Sequence, residues 1–395
     1  MALSSEQPCF VPTSAEDVVQ RIVTSRATET SINILDLDEI VHSFERWKKN
    51  YSGMVPFYYP SVNNHPGVLT LMNKLGVGFC CASIMELRTA ITLGVPTHQI
   101  RLVHPVKSPD TILYAKQENI QRITCDTIQD IAKVCRLHPT AEITLRIRVH
   151  PSQKFGCCSV VDVPEILSFV KSDGVNNIVG IHIALPQERP ITNSTLQRAL
   201  YVAKSTMVQA TKLGLRDIRE LVLSGTEIAS PTQLLNALTL ENFDSNCIFL
   251  VETERDLVES AVTLVTAVQS KRVIRESGLS GSIHEIMYFL NDGRYGSFEW
   301  WNVLEKQPTI YRNDKKMPSE TTYASSLWGP TCDSADIVCE QLDLPELGIG
   351  DFLVFPRMGA YGATLASRFN GFPIPEIILC GQLDVSRTVM KDVLS

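Results

Sequence analysis

From Val55 to Glu254 the chain repeats one pattern eight times: a short apolar or β-branched run, then an amphipathic stretch. The runs are VPFYYPSV from Val55, VGFCCAS from Val77, IRLVHP from Ile100, QRITCD from Gln121, ITLRIRV from Ile143, NIVGIHIAL from Asn177, ELVLSG from Glu220 and CIFLVET from Cys247. Runs of this length read as strands, and the residues between them carry helical spacing. In SIMELRTAITLG, for instance, Met85, Leu87, Ala90, Ile91 and Leu93 approximate one apolar stripe. Strands that alternate with helices pair in parallel through right-handed crossovers. Eight such units within roughly 200 residues predict a (β/α)8 barrel.

After Glu254 the rhythm changes. AVTLVTAV, EIMYFLND, TTYASSLWG, FLVFPRMG and PEIILCG read as strands divided by Gly, Pro, Asn and Asp turns, without regular helices between them. That pattern predicts a second, antiparallel β domain, a sandwich or barrel. SINILDLDEI near the N-terminus also reads as a strand and is expected to join it. The expected fold is therefore α/β: a TIM-like barrel plus a C-terminal antiparallel β domain joined by an N-terminal strand. Residues 1–45 contribute that strand, 46–255 form the barrel and 256–395 the β domain.

The net charge of −7 excludes the basic stripe of a nucleic-acid or membrane-surface binder. No apolar run is long enough to span a bilayer, and Met1 to Pro12 lacks the basic and apolar regions of a secretory signal. A cytoplasmic protein is expected. The eleven cysteines include the adjacent pairs Cys80–Cys81 and Cys157–Cys158 but no C-x-x-C spacing. They read as reduced, mostly buried thiols, and no metal site is expected.

Several stretches carry a resemblance. YFLNDGRYGSF (Tyr288 to Phe298), SSLWGPTCDSAD (Ser325 to Asp336), LPELGIGDFLVF, MGAY (Met358 to Tyr361), PFYYPSVNN, GFCCAS and the FNGF at Phe369 run in order along nearly the whole chain. Together they resemble the ornithine decarboxylase family, pyridoxal phosphate enzymes of alanine-racemase-type fold. The resemblance implies that fold, but function must be read position by position.

In that family the first barrel strand ends PFYAVKCN, and its lysine holds pyridoxal phosphate as an aldimine. Here the stretch is PFYYPSVN, and the lysine position is Ser61. A hydroxyl forms no Schiff base, and Pro60 removes a backbone donor. Lys48, Lys49 and Lys74 lie off the strand end, and Lys107 matches a family lysine with another place. The phosphate-binding positions after strands six and seven read Leu185, Gly225 and Glu227. Only one glycine of three is retained, and a carboxylate at Glu227 would repel a phosphate dianion. The strand-two aspartate reads Cys80. Other positions persist by resemblance. Glu252 matches the partner of the pyridine nitrogen, and Arg255 and Tyr361 match phosphate contacts. His182 matches the ring-stacking histidine. Cys332 and Asp333 match the pair that one subunit inserts into its neighbour's site. A further substrate carboxylate falls near Leu304 or the adjacent Glu305. Blander roles stay open: a rim ion pair for Glu252 and Arg255, packing for His182, a small buried thiol for Cys332. WGPTCD and NDGRYGSF read as motifs that shape the β domain and a subunit contact.

The expectation is a pseudoenzyme without cofactor. By resemblance it is an antizyme inhibitor in polyamine metabolism, binding antizyme through the third and fourth βα units. Lys107, Tyr114, Lys116 and Lys133 are the candidate contacts. A homodimer, or a heterodimer with an active decarboxylase, is also expected. The alternative is a weak or partner-dependent amino-acid decarboxylase, a carboxy-lyase whose Cys332 and Asp333 complete a heterodimeric site. Members of the resembling family that turn over rapidly carry a C-terminal degradation segment, and the chain stops soon after its last strand, so by resemblance a comparatively long-lived protein is expected.

Overall fold

The computed structural model describes residues 9–26, 29–173, 177–185, 191–215, 218–225, 230–276, 281–299, 307–312 and 321–394. Two compact units divide the chain. One holds Glu45–Pro60 and Met72–Glu254; the other holds Met1–Phe44, Ser61–Leu71 and Arg255–Ser395.

Two strands precede the barrel, β1 (Cys9–Val11) and β2 (Ile32–Asp36). The barrel strands are β3 (Val55–Tyr58), β4 (Gly78–Cys81), β5 (Ile100–Leu102), β6 (Arg122–Cys125) and β7 (Glu142–Arg148). After the two-residue β8 (Cys157–Cys158) come β9 (Ile178–Ala184), β10 (Glu220–Ser224) and β11 (Ile248–Thr253). All eight apolar runs are strands. Each pairs in parallel with the next, and the ring closes where β11 meets β3. The helices between them start where side chains can accept orphan backbone N–H groups: Ser83, Ser108, Thr127, Thr192 and Ser230 cap five of them. In the helix Ile84–Thr92, Leu87 and Ala90 are buried. Met85, assigned to that stripe, is 67% exposed instead, because two residues before Leu87 it lies about 200° around the helix from the buried face.

The barrel floor is ionic. Arg101, 2% exposed, donates to Glu220 Oε2 at 3.2 Å and to Thr144 Oγ1 at 2.6 Å. Arg122 reaches the other oxygen of Glu220 at 2.8 Å. Buried charges persist only when paired this fully. Gly180 sits opposite Glu220 in register, where an added Cβ would meet Glu220 Cβ at 3.0 Å.

The second unit is built on β12 (Val262–Arg275), followed by β13 (Ile283–Leu290), β14 (Thr309–Tyr311), β15 (Thr322–Trp328), β16 (Ile337–Pro345), β17 (Phe352–Phe355) and β18 (Glu376–Cys380). The path runs β1-β18-β2-β12-β13-β15-β16, with β17 on β12 and β14 on β17. β2 therefore joins this sheet as its sequence suggests. The sheet is antiparallel-rich, but β1–β18, β18–β2 and β13–β15 pair in parallel. Val18, Val19 and Ile22 of the helix Ala15–Ser25 pack on Ile34, Val265, Phe352 and Ile378 to form its core. A further helix, Asp384–Leu394, follows the last strand.

Candidate functional site

The C-terminal ends of the barrel strands hold a buried polar cluster. Alternation along β3 puts Tyr59 on the same side as Phe57. The Tyr59 ring packs against Phe57, Cys80, Val103, Val222 and Leu250. Its hydroxyl donates to Glu252 Oε2. Cys80 Sγ donates to Glu252 Oε1 at 3.5 Å. His182 Nε2 lies 2.9 Å from Ser224 Oγ and 3.4 Å from Glu252 Oε2. Glu252 is 1% exposed and His182 2%. His182 Nδ1 has no hydrogen-bond partner among the described residues.

Electrostatics fix which of these groups are neutral. Burial, with the nearby Glu252 charge, drives the Tyr59 phenol and the Cys80 thiol well above their usual ranges, so both keep their protons. Burial pushes His182 down to about 4, against the opposing pull of Glu252. The carboxylate is thus surrounded by neutral donors that are already bonded to it. Such a cluster stores a satisfied acceptor and offers no activated nucleophile. Among the described residues no group of three His, Cys, Asp or Glu side chains converges as metal ligands.

Sequence reasoning found Glu252, His182 and Cys80, and the structure brings these three together. It missed Tyr59. The signal was present: period-two alternation turns it inward, and the resembling family has alanine at that place. It also missed a second pair, Arg146 and Asp126. Arg146 donates twice to Asp126, at 3.0 and 2.8 Å, and the Gly156 N–H adds a third bond at 2.8 Å. That pins the loop after β7, whose Gln153 amide donates to the Ala184 carbonyl at 2.9 Å.

Other predicted positions lie as follows. Ser61, three residues beyond β3, is exposed. Leu185 is buried, its N–H bonded to the Ser224 carbonyl at 2.9 Å. Gly225 has φ +72°, and an added Cβ would lie 3.0 Å from the Leu185 carbonyl oxygen. Its retention thus has a backbone reason. Glu252 and Arg255 take different partners: the Arg255 guanidinium lies 5.6 Å from the Tyr361 ring centroid. The Tyr361 N–H donates to the Val62 carbonyl at 2.8 Å. Glu227, Leu304 and Glu305 lie outside the described residues. Cys332 is exposed, not the small buried thiol one reading assigned, because it sits on the turn between β15 and β16. Its neighbour Asp333 accepts the Tyr295 hydroxyl. Backbone N–H donation from Ala335, then Tyr295, holds the Asp333 carboxyl below its usual value.

Of the four surface candidates, Lys107 is misplaced. It is 3% exposed, donating to Asp130 Oδ2 at 2.5 Å, the Thr124 carbonyl at 2.7 Å and the His104 carbonyl at 3.0 Å. A buried ammonium with three acceptors has no donor left to offer a partner. Lys133 is half-buried, bonded to the Lys107 carbonyl at 2.8 Å and 3.4 Å from Asp130 Oδ1. Lys116 is exposed, and Tyr114 lies under the Arg88 guanidinium at 5.3 Å.

Residues 37–226 match the family model described as pyridoxal-dependent decarboxylase, pyridoxal binding domain. Mouse ornithine decarboxylase is 32% identical over 394 aligned residues, covering 92% of this chain and 84% of the mouse protein. Antizyme inhibitor 2 of Xenopus laevis is 31% identical, covering 91% of this chain and 83% of that protein. The crystal structure of the arginine decarboxylase of Paramecium bursaria Chlorella virus shares the fold, with a TM-score of 0.81 at 24% identity over 92% of this chain and 99% of that one. With an identity and coverage of that size against mouse ornithine decarboxylase, in a barrel closed as its sequence predicts, this chain belongs to the ornithine decarboxylase family.

Proposed function

We propose that this chain is a non-catalytic member of its family that holds no pyridoxal phosphate and regulates polyamine synthesis by binding antizyme. The observation that carries the first half is the company of Glu252. A pyridine nitrogen bound in this mouth would have to reach that carboxylate, yet the Tyr59 hydroxyl already holds Oε2, and the Cys80 thiol stands 3.5 Å from Oε1. Ser61 supplies no amine for a Schiff base. The buried Leu185 offers an apolar side chain where an anion would need donors. These residues do not fit the cofactor.

The second half is supported by the likeness to antizyme inhibitor 2 and by a surface suited to a partner. The helix Pro109–Gln117 presents Lys116, the half-exposed Leu113 and the Arg88–Tyr114 stack outward. Aromatic and Arg side chains of this kind anchor protein interfaces. We also propose a cytoplasmic location, where a reducing milieu would keep the ten described cysteines as thiols. The test is a titration of purified protein with labelled antizyme. Saturable binding that weakens in Lys116→Glu is the expected result, and absence of saturable binding overturns the reading.

A further inference from the structure

We propose that Tyr59 is a built-in ligand: its phenol fills the barrel mouth as a free aromatic ring would, and its removal opens a site for such a ring. The ligand class is a single six-membered aromatic ring with a hydrogen-bond donor on one edge. Two features of the mouth select that chemistry. Tyr59 packs against a buried apolar cluster of Phe57, Val103, Val222 and Leu250 with the Cys80 thiol. The far end is the Glu252 carboxylate, 1% exposed, which needs a donor because a buried charge without one is costly. Tyr59 meets both needs with one side chain, ring against the walls and hydroxyl on the carboxylate.

Nothing else among the described donors would replace it. Cys80 Sγ bonds the other oxygen, Oε1, at the long distance of 3.5 Å, and His182 Nε2 stands 3.4 Å from Oε2 while closer to Ser224. Truncating Tyr59 therefore leaves a ring-sized hole ending in an under-satisfied carboxylate. A hole with apolar sides accepts an aromatic ring of matching size, and a donor on that ring replaces the water that would otherwise meet the carboxylate. Tyr59 also lies one residue beyond the end of β3, so changing it breaks no ladder hydrogen bond. The consequence for the family likeness is specific. A chain matched by a pyridoxal binding domain keeps a wall and an acceptor for a ring, and supplies the ring itself.

The experiment compares the thermal unfolding of the full chain as wild type, Tyr59→Ala and Tyr59→Phe, with 4-methylphenol, toluene or pyridoxine added. Tyr59→Ala should melt lower than wild type and regain about 2–4 °C with 4-methylphenol at roughly ten times its dissociation constant. Toluene, which fills the hole without the donor, should restore less. Wild type should respond to none of the three. Tyr59→Phe keeps the ring but strips the donor, so it should melt below wild type and still bind nothing. The proposal is overturned if folded Tyr59→Ala ignores 4-methylphenol. It is also overturned if wild type binds pyridoxine or 4-methylphenol as tightly as Tyr59→Ala does, or if Tyr59→Phe melts with wild type. Should Tyr59→Ala not fold, Tyr59→Leu takes its place in the same titration. The inference rests on the reading that this mouth holds no pyridoxal phosphate: wild type that binds pyridoxine overturns both, whereas folded Tyr59→Ala that ignores 4-methylphenol overturns this inference alone. Antizyme binding, which Tyr59→Ala should leave unchanged, fails separately.

Discussion

His182 sits between a hydroxyl and a carboxylate with its second ring nitrogen unpartnered, and burial decides its charge. Its pKa is lowered from 6.5 to about 4. Between those values the unfolded chain takes up a proton that the folded chain refuses. The stabilisation is therefore complete above pH 6.5 and is lost as the pH falls through about 4. His65, also lowered to about 4 by burial, acts with the same sign. We predict that the urea midpoint of wild type drops across this window and that His182→Gln removes part of the slope. An unchanged slope in the variant would show that His182 is not the group responsible. At this scale the sequence marked His182 as a ring-stacking match or a packed side chain, and neither reading gives its charge. An isolated histidine is half-protonated near pH 6.5, and only the surrounding strands take that proton away.

The turns that hold WGPTCD and NDGRYG show a packing reason for their residues that is independent of chemistry. Asp336, 1% exposed, accepts the Arg294 N–H at 2.8 Å, the Thr331 N–H at 3.0 Å and the Thr331 hydroxyl at 2.7 Å. Gly293 and Gly329 close around it, and a Cβ on either would lie 2.3 or 2.2 Å from Asp336 Oδ1. The two motifs are one packed unit, which supports the structural reading of them from sequence. Gly329→Ala should cost about 2–3 kcal/mol in urea unfolding; a cost near zero would mean that the turn has slack. On the barrel, the helix Pro109–Gln117 and the strand end before it divide the lysines into two kinds. Lys107→Met leaves the Asp130 carboxylate with only Lys133, 3.4 Å from Oδ1, and should destabilise by about 2–4 kcal/mol, while Lys116→Glu should leave stability within about 0.5 kcal/mol. Antizyme affinity should follow Lys116 alone once folding is accounted for. Loss of binding in Lys107→Met that exceeds its unfolded fraction would contradict this. Reading the sequence alone cannot separate the two lysines, because a long basic chain suits either a surface or a buried carboxylate.

For the whole molecule, the proposal predicts that pyridoxal phosphate leaves the thermal midpoint unchanged and that borohydride yields no stable reduced adduct. A midpoint that climbs with cofactor concentration would count against it. The eight barrel strands were legible because each is a compact β-branched run bounded by helical spacing, a local property. β16 was not, since Glu340, Gln341 and Asp343 interrupt its apolar residues while only Cys339, Leu342 and Leu344 turn inward. The parallel pairings of the β domain were hidden as well, because strand order in a sheet is not strand order in the chain. The sequence by itself determined the barrel, through residue type and spacing, and carried in its motifs the resemblance by which Ser61 stands at the family's lysine position. What fills the site was decided only by tertiary structure. Tyr59 and Glu252 are 193 residues apart, and they meet because closing the barrel sets β11 against β3 with Glu252 opposite Phe57.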